Sequence, residues 1–162
     1  MYRQILVPVD GSETSMGGLN EAIKVAKTFG SRIRLLHIVN EFIIDGTYSP
    51  GIYPNDLFQS LRDTGKSILA NSEAVARRSG IEVESMMLES IGGAASDLIV
   101  AQARQWPADL VVMGTHGRRG LARLALGSDA EEVVRLSAVP VLLVRGLPQR
   151  HNPAEKATAA AA

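Results

Sequence analysis

The sequence predicts an α/β fold: a single-domain, Rossmann-like open sheet of five parallel strands with helices on both faces. Short apolar, β-branched runs alternate with longer segments of helical periodicity along the chain, the pattern of parallel strands joined by helical crossovers. Several of the runs are continuously apolar, as in strands buried on both sides. The 162 residues, 46% of them hydrophobic, suffice for one ordinary core and leave no room for a second domain.

The first strand is "QILVPV", residues 4–9, ended by "DGS". Pro8 would cost it a ladder bond unless pairing stops there. From Glu13 to Phe29, Leu19, Ala22, Ile23 and Ala26 recur at helical spacing, and Gly30 supplies the stop. Gly17 and Gly18 weaken the opening of that helix by roughly 1 kcal/mol each. "RIRLLHIV", residues 32–39, is the second strand. Residues 57–79 form a helix with Leu57, Leu61, Ile68, Leu69 and Val75 on one side and Gly80 after it. "IEVESMML" (81–88) is the third strand, 95–105 a helix, "ADLVVMG" (108–114) the fourth strand, 128–137 a helix and "VPVLLVR" (139–145) the fifth strand. Beyond it the pattern dissolves, which predicts one domain over residues 1–146 and a flexible tail over 147–162, where His151 has no assigned role.

Lys plus Arg and Asp plus Glu number 17 each, so no global positive field exists to hold nucleic acid or an anionic membrane. The absence of cysteine excludes disulfides and thiolate zinc sites. The amino-terminal apolar run is too short for a signal-peptide core or a membrane span, and a cytoplasmic protein is expected.

Sheets of this kind bind ligands beyond the carboxyl ends of their strands, where the winding direction reverses. The loops to inspect are therefore residues 10–13, 40–56, 89–93 and 114–127. The last belongs to "MGTHGRRGLARLALGSDAEEV", residues 113–133, which carries four glycines and three arginines. Glycine leaves no side chain between backbone amides and a ligand, and a helix amino terminus adds unpaired N–H groups that favour phosphate. His116, Arg118, Arg119 and Arg123 bring positive charge to the same loop. Two other uses stay open: the glycines can simply turn the chain, and Ser128 with Glu131 spells a capping box that needs no ligand. A capping Ser128 hydroxyl would still have its own proton to donate to a phosphate.

"GTHGRRGLARLALGS" resembles the motif of nucleotide-binding members of the universal stress protein family: Gly, two residues, Gly, nine residues, then Gly followed by Ser or Thr. Gly114, Gly117, Gly127 and Ser128 match it. "ILVPVDGS", "ADLVVMG" and "VPVLLVR" resemble the family's first, fourth and fifth strands, so the likeness covers residues 1 to about 146. The resemblance implies the strand order 3-2-1-4-5, ATP in the crevice between the first and fourth strands, and a homodimer. It places the phosphates against Gly117, Gly127 and Ser128, beside Gly114, His116 and Arg118, and the base near Pro8, Val9, Val39 and Met113. Asp10 would serve the adenosine end or a Mg2+ ion; its alternative is to cap the turn into the first helix. Asp129 departs from the family's small or apolar residue, and its carboxylate competes with phosphate for the helix dipole.

Other constellations carry less. "DTGKS", residues 63–67, resembles the end of a phosphate loop, but Ser60 stands where glycine is needed and the segment lies inside a helix. His37 lies within a strand and is read as a core histidine. Residues 40–56 are long for a connection, and Phe42, Tyr48 and Tyr53 either close over an adenine or pack on their own rim. With no carboxylate pair, Cys/His cluster or nucleophile elbow, no catalytic residue is assigned. The fifth strand, Val139 to Val144, is apolar and lies at the edge in the implied order, so a second copy is expected to pair with it. The function these readings imply is an ATP-binding switch or partner-binding module in stress response, its protein partner unidentified. The alternatives are a slow Mg-dependent ATPase or phosphotransferase, and a nucleotide-free homodimeric interaction protein.

Overall fold

A computed structural model of the chain describes residues 1–40, 54–90, 93–115 and 126–145. Its elements are β1 (Gln4–Pro8), α1 (Glu13–Phe29), β2 (Arg32–Asn40), α2 (Pro54–Arg78), β3 (Val83–Ser90), α3 (Ala95–Gln105), β4 (Leu110–Gly114), α4 (Ser128–Leu136) and β5 (Val141–Val144). All strand pairs are parallel and the order is β3-β2-β1-β4-β5, so winding reverses between β1 and β4. The expected α/β architecture and strand order are both present.

Alternation along the strands divides the core into two layers. Ile5, Val7 and Val9 of the β1 segment pack with Ile33 and Leu35 of β2 under α1 and α2. Leu6, Leu36, Val111 and Met113 face the other way, under Ile99, Val100 and Ala103 of α3 and Ala130 and Val133 of α4. Ile5, Leu6 and Val7 are wholly buried, which is why the run is apolar without alternation.

Several boundaries differ from the expected ones for physical reasons. The third strand runs over 83–90 instead of 81–88, because the turn around Gly80 (φ 67–76° is shared by Gly30 and Gly80) uses the Ile81 amide to satisfy the Ala76 carbonyl at the end of α2. Helix α2 begins at Pro54 instead of residue 57; proline suits a first helical turn, where its missing N–H has no partner to lose. Ala108 donates its amide to Ala103 and so belongs to the turn before β4. Phe42, Tyr48 and Tyr53, the loop residues 116–125 and the proposed tail lie outside the described residues. Among the described residues no helix is long and apolar enough to cross a membrane.

Candidate functional site

The crevice opens at the carboxyl end of β1, and Pro8 helps to open it. Val9 N–H donates to the Leu36 carbonyl on β2, so by the alternation of a parallel ladder the main chain of Pro8 faces β4. Proline has no N–H to offer there, and the β1–β4 pairing reaches only Leu6 and Val111. Beyond that pair the two strands part, with Val9 and Asp10 on one side and Met113 and Gly114 on the other.

On the β1 side the chain satisfies its own polar groups. Ser12 caps α1, its hydroxyl accepting from the Ser15 amide at 3.2 Å. Asp10 Oδ1 accepts from the Ser12 amide at 2.9 Å and from its hydroxyl at 2.6 Å. Asp10 therefore does the turn-capping work left open from the sequence. Glu13 adds a carboxylate in the first turn of α1, at the positive end of its dipole.

The β4 side is arranged differently. Gly114 ends β4 against the first turn of α1, where a Cβ would stand 2.8 Å from the Thr14 carbonyl carbon and oxygen. Gly18 returns the approach, since its Cβ would lie 3.2 Å from Gly114 N. Both glycines let a helix backbone lie directly on a strand, and this explains Gly18, which by propensity alone only weakens α1. Thr115, which the sequence reading passed over, pins the base of the glycine loop: its amide donates to Val144 O at 3.0 Å and its carbonyl accepts from Gly127 N at 2.9 Å. A buried polar residue just after a buried strand was the available signal.

Helix α4 then starts without a side-chain cap. Gly127 is its N-cap residue, extended at φ −66° and ψ 145°, and as a glycine it makes no side-chain cap hydrogen bond. The capping box left open for Ser128 and Glu131 is not formed. The return bond from Gly127 to Thr115 sets the helix start one residue early, so Ser128 lies in the first turn and the Glu131 amide donates to the Gly127 carbonyl at 2.9 Å. Ser128 and Asp129 are exposed, and Asp129 and Glu131 place two carboxylates in that turn.

The residues proposed for a base come together only in part. Val9 and Val39 are each 3% exposed and Met113 7%. Val9 belongs to the layer under α1 and α2 and Met113 to the opposite layer, so these two flank the crevice by backbone and not by opposed side chains. His37 is buried as expected, with Nδ1 2.7 Å from the Val9 carbonyl. "DTGKS" lies within α2, far from any strand-to-helix loop in sequence. His116, Gly117 and Arg118 fall outside the described residues. Among the described residues no group of three His, Asp or Glu side chains could hold a metal. A magnesium ion at Asp10 would need phosphate oxygens and water for the rest of its shell, which is how that ion is commonly held.

Comparisons with known proteins agree with this geometry. The model of the universal stress protein family matches residues 1–145. A universal stress protein of Methanocaldococcus jannaschii is 33% identical over 145 residues, spanning 90% of this chain and 83% of its own. The solved structure of a second such protein from the same organism is 29% identical with a TM-score of 0.78, covering 92% of this chain and 99% of its own. A universal stress protein of Archaeoglobus fulgidus, solved in complex with dAMP, shares the fold at 23% identity and a TM-score of 0.62, over 88% of this chain and 98% of its own. The chain belongs to the universal stress protein family.

Proposed function

We propose that the crevice binds an adenine nucleotide, ATP by the motif, with its phosphates on the first turn of α4, and that the protein acts as a nucleotide-dependent switch or partner-binding module. The observation that carries this reading is the asymmetry between the two helix starts. Helix α1 is closed by Ser12, whereas α4 opens on Gly127 with no side-chain cap and an exposed Ser128 in its first turn. Uncapped amides at the positive end of a helix dipole are a ready anion site. The dAMP complex of the Archaeoglobus fulgidus relative supports a nucleotide in this fold.

Gly127 and Ser128 would hold phosphate through backbone and hydroxyl, Gly117, His116 and the cation Arg118 would line the rest of the loop, and the backbone around Val9, Val39 and Met113 would flank the base. Asp10 would share a Mg2+ ion with the phosphates, the ion supplying charge neutralisation. Asp129 is the opposing element, stabilising the empty turn while repelling the ligand. A second copy would pair along β5, making the switch a homodimer working in the cytoplasm.

Calorimetry of ATP and AMP with and without Mg2+ tests this. Asp129→Val is expected to tighten Mg-free ATP binding about two- to fivefold, the worth of one charge at a helix terminus. Equal affinity in both proteins at low and high magnesium removes that role for Asp129. Gly117→Val, which puts side-chain atoms in the phosphate path, should lose binding altogether. The nucleotide reading is overturned if the purified protein gives no heat with either ligand and releases no nucleotide when denatured.

A further inference from the structure

We propose that His37 is a positioning residue for the crevice, its imidazole holding the Val9–Asp10 peptide in place while the backbone of α2 at Gly65 holds the imidazole. The functional consequence rests on the nucleotide reading above; the geometry does not. Val9 lies just past the end of β1, and its N–H still bonds to Leu36 O. Its carbonyl is the next acceptor facing β2 in a parallel ladder, and His37 Nδ1 approaches it at 2.7 Å. A carbonyl only accepts, so Nδ1 carries the proton. The other end of the same peptide unit, Asp10 N–H, is directed at Ser15 Oγ at 3.4 Å. Side chains from two elements thus address both polar atoms of the one peptide that leads from β1 into the site.

The described residues around the ring hold it in place. His37 is 6% exposed. At Gly65 a Cβ would stand 2.7 Å from His37 Cδ2 and 3.1 Å from Nε2, and 3.0 Å from Met87 Sδ. Only glycine lets α2 rest on the imidazole so closely. The glycine of "DTGKS", which has no phosphate to bind inside a helix, thereby acquires a use: it seats α2 on the ring that holds Val9.

The test compares the full-length wild type with His37→Leu, His37→Asn, His37→Ala, Gly65→Ala and the His37→Ala/Gly65→Ala pair. ATP and AMP affinities are read by calorimetry and melting temperatures in parallel. His37→Leu should weaken both nucleotides about three- to tenfold, the worth of one neutral hydrogen bond. His37→Asn should recover most of it, because its amide nitrogen is as many bonds from Cα as Nδ1 is. Gly65→Ala should weaken binding like His37→Leu, yet add little in the His37→Ala background, where the ring it strikes is gone and only the flexible Met87 thioether must give way. The proposal is overturned if Asn rescues no better than Leu, if the Gly65 and His37 effects add, or if long-range 15N–1H spectra show the neutral ring protonated at Nε2. Should the wild type bind neither nucleotide, the nucleotide reading falls and amide exchange at Asp10 to Ser12 decides this proposal alone. Faster exchange in His37→Leu, restored in His37→Asn, supports it; equal exchange in all three overturns it.

Discussion

The two edges of the sheet face the same physical problem and meet it in opposite ways. Strand β3, eight residues long, is flanked along its length by charge. At its start Arg77 Nη2 lies 3.5 Å from the Val83 carbonyl, which points away from β2 because the neighbouring Glu82 carbonyl takes the Ile33 amide. Glu73 binds Ser85 at 2.8 Å in the middle, and at the far end Arg62 grips Glu89 with two hydrogen bonds of 2.6 and 2.9 Å while stacking 4.4 Å from the Phe58 ring centroid. Strand β5 is four apolar residues, each partly exposed, with no ionisable side chain. The helix before it leaves Val134 and Leu136 exposed. Charge on an edge strand discourages pairing with another chain, and an apolar edge invites it. The contrast teaches that, among the described residues, charge guards one edge of this sheet and not the other.

The most severe way to break the contrast is to charge the apolar edge. Leu143 packs on the layer under α3 and α4, and the lysine stem of Leu143→Lys can still cover part of that surface with its ammonium at the rim. Burying the ammonium against a partner strand should weaken the dimer by about a hundredfold or more, the range of an interface hot spot. Sedimentation across micromolar concentrations reads this directly. A wild type that stays monomeric at high micromolar concentration removes the dimer along β5, and with it the meaning given to the uncharged edge.

How much of this was legible in the sequence depends on how local each cause is. Helix α1 lies within the bounds its apolar spacing predicted, Glu13 to Phe29, because periodicity and the Gly30 stop are both written within one segment. The strand order came through the family resemblance, since no local pattern says which strands are neighbours. The choice left open for Ser128 could not be closed from the sequence, because the start of α4 is set by a bond from Gly127 back to Thr115 across the whole glycine loop. Gly18 and Gly65 read from the chain as a propensity penalty and a motif fragment. Each is in fact a place where a helix touches Met113–Gly114 or His37, a contact with a partner remote in sequence. The charged edge was illegible for the same reason: Arg62 and Glu89 lie on different elements, and their pairing exists only once α2 lies beside β3.

A milder intervention removes the charge from β3. The double variant Arg62→Leu/Glu89→Leu, made in the Leu143→Lys background so that β5 is silent, should let β3 edges associate. The expected gain in self-association is about fivefold or less, the scale of one cross-strand pair. Light scattering that shows no concentration dependence in this protein would mean that the length of α2, and not the ion pair, protects the edge.

The smallest effect is the most selective, because acid reaches one edge and not the other. Hydrogen bonds from Arg77 and Ser85 hold the Glu73 carboxyl below its ordinary value of 4.5, and the Arg62 hydrogen bonds do the same for Glu89. A carboxylate whose folded-state pKa is depressed contributes stability that is fully present above the unfolded value and lost as pH falls through the folded one. Nothing should therefore change between pH 7 and 5, and the loss should begin below about 4.5. These are solvent-facing pairs, so the Glu73 contribution is only about 0.3 to 0.5 kcal/mol. The sharper readout is association of the Leu143→Lys protein: protonation removes the carboxylate charges that offset Arg62 and Arg77 and leaves net positive charge beside β3, so self-association should fall in that same acid window, and Glu73→Gln/Glu89→Gln should reproduce the fall at pH 7. Self-association of the wild type along β5 should stay level through the window, if the proposed dimer forms, because β5 has no ionisable side chain. If both edges respond to acid together, charge is not what distinguishes them.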